Sequence, residues 1–256
     1  MTSPNAALDA WLASEAPEPV LEPDLPIIDV SSVSELQNRH RCRYNGCGAR
    51  ELYLTCWPRC APQPHHHLWD NASRRPQVVY MLPELLADIE SSGHNVVGTC
   101  YVQANSFHSV LGAEEMRPVG ETQVMQGVAS LADSGVYGSV RACAAIVGTC
   151  DLRHENAEAV LLEHARSRNF RGVRAGPVGD DQEFIRGFAA LAKHGLIYER
   201  WNAEWRTIPA VAALARQFPS VTIVLNHLGG KVTPETVPPS EMEAWKANIA
   251  EIAQCP

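Results

Sequence analysis

The run Val96-Val97-Gly98-Thr99-Cys100-Tyr101-Val102 is apolar over almost its whole length and is followed by a longer helical pattern. An apolar run of this kind is typical of a strand that is buried on both faces. The same unit recurs to the end of the chain. We predict strands around Ile27, Val97, Ala142, Val173, Ile197 and Ile223, and helices over 83–91, 114–133, 156–168, 182–193, 208–218 and 241–254.

Alternating strands and helices predict an α/β fold with a parallel sheet and right-handed crossovers. A barrel and a doubly wound sheet both fit this pattern. Neither a GxGxxG nor a P-loop motif follows the first strand, which argues against a nucleotide-binding sheet.

Composition excludes some partners. The chain has 256 residues and a net charge of -8, whereas nucleic-acid binding needs a basic surface. No apolar run is long enough to cross a membrane. The start of the chain is acidic and proline-rich and lacks the features of a secretory signal. We therefore expect a cytoplasmic protein without nucleic-acid or membrane partners.

The most unusual stretch is Pro64-His65-His66-His67-Leu68-Trp69-Asp70. In a strand, alternate side chains face the same way, so His65 and His67 are expected to point together and His66 away from them. Neutral imidazoles held in this way are suited to metal binding or proton transfer. The alternative is a solvated polar loop without chemistry.

Ile28-Asp29, joined directly to Pro64–Asp70, would read IDPHHHLWD. This looks like the strand-one HxH signature of the amidohydrolase superfamily. It is most similar to the branch that includes 2-pyrone-4,6-dicarboxylate lactonase and sugar lactonases. Similarity continues through residues 82–88, 93–99, 114–121, 170–174 and 222–230, and so covers most of the chain.

The resemblance implies an incomplete TIM-type (β/α)8 barrel with about six βα units, with its chemistry at the carboxyl ends of the strands. It implies that His65, His67 and His227 are catalytic. They would bind one divalent metal, zinc, if the chain uses one, although some members of this branch work without a metal. Arg141 and Arg174 are expected to bind a substrate carboxylate, and structural salt bridges are the alternative.

The resemblance also implies a function: hydrolysis of a lactone or similar cyclic ester or amide, on a small substrate that carries a carboxylate. A non-oxidative decarboxylase is the alternative within the superfamily, and an inactive truncated remnant is the third. The chain ends where the family's seventh strand would begin, and the aspartate that follows strand eight has no counterpart. We therefore expect low stability and weak activity.

Two segments are expected to lie outside the barrel: a flexible extension over 1–25 and an insert over 30–63 that interrupts a domain spanning 26–256. Val30-Ser31 can be encoded by the start of a spliceosomal intron and Gln63 by its end, so a translated intron is our hypothesis. The alternative is a small zinc module that uses Cys42, Cys47, Cys56 and Cys60.

Several other polar residues are expected to be structural. We predict that Glu121 ties a helix to a loop, and that Glu199, at the end of its strand, can face the site. The remaining histidines lie in predicted helices or loops and are expected at the surface: His94, His108, His154, His164 and His194.

Overall fold

The computed structural model describes residues 26–28, 65–70, 79–176, 178–200, 204–230 and 237–256, so the extension and the insert lie outside the described residues. The described strands are β1 (Pro26–Ile28), β2 (Trp69–Asp70), β3 (Val79–Tyr80), β4 (Asn95–Val102), β5 (Arg141–Gly148), β6 (Phe170–Ala175), β7 (Ile197–Arg200) and β8 (Ile223–Leu225). The described α-helices are α1 (Leu82–Ser92), α2 (Val119–Asp133), α3 (Ala157–Ala165), α4 (Gln182–His194), α5 (Ile208–Gln217) and α6 (Met242–Ile252).

Six of these strands form one sheet in the order β1-β4-β5-β6-β7-β8, and every neighbouring pair is parallel. Strands β2 and β3 form a separate antiparallel pair. Sequence order equals spatial order in the large sheet, as it does in a singly wound barrel and not in a doubly wound sheet. The predicted incomplete TIM-type barrel is confirmed.

The triple-histidine segment continues the line of β1 along the edge of the sheet. The amide of His66 donates to Cys100 O at 3.1 Å, and the amide of Val102 donates to His66 O at 3.0 Å. β1 pairs with the beginning of β4, and His66 pairs with its end. The histidines therefore lie at the carboxyl edge of the sheet, where barrel enzymes hold their catalytic groups.

The two faces of the sheet carry different apolar clusters. The inner face, towards the barrel axis, is small and is made by Cys100, Val102, Ala145, Val147 and Ile197, with Val224 packed against them. The outer face packs against the helices through larger side chains such as Tyr101, Met125, Phe188 and Tyr198. Burial on both faces explains why the strands read as continuous apolar runs.

The helix ends follow local sequence signals. Helix α4 begins after Asp181, whose carboxylate accepts from the amide of Phe184 at 2.9 Å, and it ends at Gly195 with φ 62°. The predicted helix over 114–133 is divided: Glu114–Met116 is a short 3-10 turn, and α2 starts only after Pro118. No helix in the described ranges is long and apolar enough to span a membrane.

The prediction that His164 lies at the surface is wrong, because this residue is wholly buried. The helical pattern gave its position on α3 but not which face of α3 turns inward. Its Nε2 donates to Thr149 O at 3.0 Å, so Nδ1 accepts from the Thr122 hydroxyl at 2.8 Å. Burial lowers the pKa of His164 to about 4, which keeps the ring neutral.

Candidate active site

The alternation expected for the histidine run is present. The rings of His65 and His67 lie side by side, with centroids 5.1 Å apart. His66 contacts the outer-face ring of Tyr101, and its Nε2 lies 2.8 Å from Thr99 Oγ1. The prediction that His65 and His67 point together and His66 away from them is therefore confirmed.

His67 has a fixed orientation and tautomer. Its Nδ1 lies 2.7 Å from the carbonyl oxygen of Val102, and a carbonyl can only accept, so Nδ1 carries the hydrogen. The ring also stacks beside Trp69 at 28°. Burial lowers the pKa of His67, although the bond to Val102 opposes this shift. His67 is therefore a neutral imidazole whose Nε2 holds the lone pair.

The third imidazole, His227, follows β8, which is the outermost strand at the end of the described sheet opposite β1. His227 follows β8 in a short turn, where it and Leu228 have φ of 50° and 57°. These left-handed conformations are strained for residues with side chains and are common at functional sites. The turn brings the ring of His227 to 5.8 Å from that of His65. The three histidines predicted to be catalytic thus converge at one rim.

Arg174 and Glu199 form a buried ion pair beneath His65. They are paired residues on the neighbouring strands β6 and β7, and their side chains are 9% and 1% exposed. Arg174 Nε donates to Glu199 Oε1 at 2.9 Å, and Nη2 donates to the same oxygen. Because both ions are removed from water, each depends on the other to remain charged.

His65 is held by this pair and by Asn226. Arg174 Nη2 donates to His65 Nε2 at 3.1 Å, and the side-chain amide of Asn226 lies 3.1 Å from His65 Nδ1. Asn226 Nδ2 donates to Glu199 Oε1 and lies beside His65 Nδ1, which carries the hydrogen of the neutral ring when Nε2 accepts from Arg174. Burial and then the charge of Arg174 lower the pKa of His65 to about 4, so the ring is neutral.

Arg141 is not brought to this rim. It is the first residue of β5, whereas the histidines lie at the carboxyl ends of the strands. Its guanidinium contacts Asp133, with Nε donating to Oδ1 at 3.3 Å, and its side chain is 49% exposed. The expected substrate contact does not fit this position. The structural salt bridge, which was the alternative, is what the structure contains.

The geometry does not fit a resident zinc ion. Catalytic zinc needs three protein ligands around an open position. Among the described residues, no three or more His, Cys, Asp or Glu side chains are placed to hold a metal ion. Arg174 also directs a cationic N–H at the lone pair of His65, which a metal ligand needs.

Glu121 shapes the loop between β4 and α2 beside the rim. Its buried Oε1 accepts from the Tyr101 hydroxyl at 2.7 Å, and from the amides of Ala104 and Ser106 at 2.8 and 3.1 Å. Nearby Phe107 is left-handed with φ 57°, so the loop needs such support. The predicted tie between helix and loop is confirmed.

Sequence reasoning missed the part played by Asn226. The residue was visible only as a polar side chain directly after an apolar strand and before His227. That position is the carboxyl edge of a parallel strand, so the signal existed. Its contacts with His65 and Glu199 depend on how far the sheet curls, which one sequence does not show.

A curled parallel sheet with imidazoles, a guanidinium and a carboxylate at its carboxyl edge is the arrangement of a barrel enzyme. The sequence profile of the amidohydrolase family matches residues 64–256, and the chain belongs to that family.

Curated relatives and a solved structure agree with this membership. An uncharacterized protein of Sinorhizobium fredii is 29% identical over an alignment of 226 positions, which covers 75% of this chain and 69% of that protein. The L-fucono-1,5-lactonase of Burkholderia ambifaria is 25% identical over an alignment of 209 positions, which covers 75% of this chain and 63% of that enzyme. A solved amidohydrolase of Burkholderia multivorans shares the fold, with 20% identity, a TM-score of 0.52 and coverage of 75% and 66% of the two chains. The chain thus spans roughly two thirds of the length of these relatives.

Proposed function

We propose that the site hydrolyses a lactone, with water attacking the ring carbonyl. The observation that carries this proposal is the convergence of His65, His67 and His227, with ring centroids 5.1 and 5.8 Å from His65 to its two partners. A neutral imidazole at such a rim can take a proton from water at neutral pH.

His67 is the proton acceptor in this proposal. Its Nδ1–H is committed to Val102 O, so Nε2 is the nitrogen available to an attacking water. As water adds to the carbonyl carbon, its proton moves to Nε2. The bond from that carbon to the ring oxygen then breaks, and the proton passes to the released alcohol oxygen. Atoms and charge balance without a metal or a cofactor.

The lactone as substrate is supported by the Burkholderia ambifaria relative, whose name is L-fucono-1,5-lactonase. The carboxylate that we expected on the substrate has weaker support. It depended on Arg141 and Arg174, and each guanidinium already bonds to a carboxylate within the chain. The decarboxylase alternative has the same weakness, because its substrate must carry a carboxylate.

Purified full-length protein should be tested with uncharged six-membered lactones, and acid release followed at constant pH. Hydrolysis above the spontaneous rate, lost in His67→Asn and in His227→Asn, is the expected result. A wild-type rate equal to the spontaneous rate on every lactone would reject the proposal. Carbon dioxide release from unsaturated carboxylic acids would instead support the decarboxylase.

A further inference from the structure

Arg174 and Glu199, which lie beneath His65, form the floor of the site, and their opposite charges neutralise each other. Arginine binds a carboxylate most strongly through a pair of parallel N–H groups. In Arg174 the N–H groups of Nε and Nη2 both donate to Glu199 Oε1, and Nη2 also donates to His65. This edge of the guanidinium is therefore unavailable to a substrate.

Three other described arginines near this sheet do not replace Arg174. Arg200, the last residue of β7, follows Glu199 and so points to the opposite, outer face beside Tyr198. Arg141 lies at the opposite edge of the sheet with Asp133. Arg153 bonds to Asp181 through Nε and Nη2 and lies over the ring of Phe184, a residue of the outer cluster. Together with neutral His65 and His67, the described residues of the floor carry one positive and one negative charge.

Glu199 also has a second carboxylate oxygen that can accept a hydrogen bond from a substrate. Its Oε2 is buried and has no hydrogen-bond partner among the described residues. A buried carboxylate oxygen without a partner favours a neutral donor, such as a hydroxyl group, and repels a second carboxylate. A substrate carboxylate brought here would lose its hydration without gaining an uncommitted cation.

We propose that Glu199 is a specificity-determining residue: by neutralising Arg174 it makes the site select uncharged lactones over lactones that carry a carboxylate. This inference rests on the proposed lactone hydrolysis. The sequence led us to expect a substrate that carries a carboxylate, whereas this inference favours an uncharged one.

The test compares δ-valerolactone with the same ring bearing a carboxylate next to the ring oxygen. Wild type should show a kcat/KM at least about tenfold higher for the uncharged ring. Glu199→Gln keeps the size of the side chain but leaves Arg174 without a counter-charge. It should shift the ratio towards the charged ring by about tenfold or more.

Two matched variants control for other effects. Glu158→Gln removes a glutamate charge at the surface, where Glu158 pairs with Lys193, and should keep the wild-type ratio. Arg174→Gln combined with Glu199→Gln restores a neutral floor and should return the ratio towards that of wild type. An unchanged ratio in Glu199→Gln, or a wild type that prefers the charged ring, overturns the proposal.

Binding separates this inference from the proposed function. δ-Valerolactam and its ring-carboxylate analogue resist hydrolysis and can be titrated calorimetrically into wild type. Tighter binding of the uncharged lactam would show the preference that the role of Glu199 requires, even if no lactone is hydrolysed. Tighter binding of the charged lactam rejects that role, and this measurement needs no variant to fold.

Discussion

Ile27 and His66 lie on one line along the same neighbouring strand, although the chain runs through 38 residues between them. Ile27 pairs with Val96, and His66 pairs with Tyr101, five residues further along β4. If residues 30–63 were absent, His66 would also follow Ile27 by five residues. The first strand of the barrel is thus formed by two separate pieces whose spacing, counted from Ile27, matches that of β4, although the register shifts by one residue between Ile27 and Ile28.

This register predicts that a variant lacking 30–63 folds with the same sheet and greater stability. Closing a loop of this length costs about 2 kcal/mol more than a direct connection. We expect the free energy of unfolding to rise by about that amount in urea titrations.

A deletion of 30–62 is the matched control, because it leaves one extra residue in the strand. Such a shift turns every following side chain to the other face, so His65 and His67 would no longer point inward. If both deletions behave alike, the two pieces do not form a single strand.

His67→Asn should abolish hydrolysis while preserving the fold. The asparagine amide can replace the Nδ1–H bond to Val102 O, but it has no base at the Nε2 position. Loss of a general base lowers kcat by about a hundredfold or more. The measurement is lactone turnover beside thermal unfolding of the same samples, and retention of half the wild-type kcat would contradict the role.

His164 should make stability depend on pH. Its pKa is about 4 in the folded chain and 6.5 when unfolded, so the folded state favours the neutral ring. The contribution, up to about 3 kcal/mol, is fully present above pH 6.5 and is lost as the pH falls towards 4. In urea titrations across this range, His164→Gln should show a shallower pH slope than wild type.

A variant of an exposed histidine is the control, because it also removes one histidine but leaves the buried ring of His164 in place. His94→Gln changes a histidine at the surface and should keep the wild-type slope. Equal slopes in wild type and His164→Gln would mean that the buried ring does not set the acid sensitivity.

Glu121→Ala should loosen the loop after β4. Its loss leaves the Tyr101 hydroxyl and two backbone amides without their acceptor, at a cost of about 2–3 kcal/mol. We expect lower thermal stability and faster amide exchange at Ala104 and Ser106. Glu114→Ala, which changes an exposed glutamate outside this network, is the control, and equal exchange in both variants would contradict the role of Glu121.

Chelation tests the alternative of a metal-dependent site, which the geometry of the three histidines does not support. If Arg174 occupies the lone pair of His65, incubation with EDTA should leave lactone turnover unchanged, and added zinc should not increase it. Loss of activity on chelation, followed by recovery with zinc, would show that the three histidines rearrange around a metal.

The strands were predictable because a sheet that is covered on both faces needs short, continuous apolar runs: each strand predicted between Val96 and Leu225 is a parallel strand of the sheet. The convergence of His65, His67 and His227 followed from the family resemblance and from the period of two in strands.

What the sequence did not show depends on contacts between distant segments. Arg174 was expected to meet a substrate, but Glu199, on the adjacent strand, is its partner. Strand register decides that pairing, and a single sequence does not encode register openly. Likewise, whether Arg141 marks the start or the end of β5 changes which edge it reaches, and strand boundaries are the least certain part of a pattern.

His65 contacts partners that follow it by 109 and 161 residues. During synthesis on the ribosome, the amino-terminal imidazoles therefore emerge long before Arg174 and Asn226 are available to enclose them. Until then they remain in water with an ordinary affinity for protons and ions. The proposed site can therefore be complete only after Asn226 has left the exit tunnel, so its assembly must await the synthesis of β6, β7 and β8.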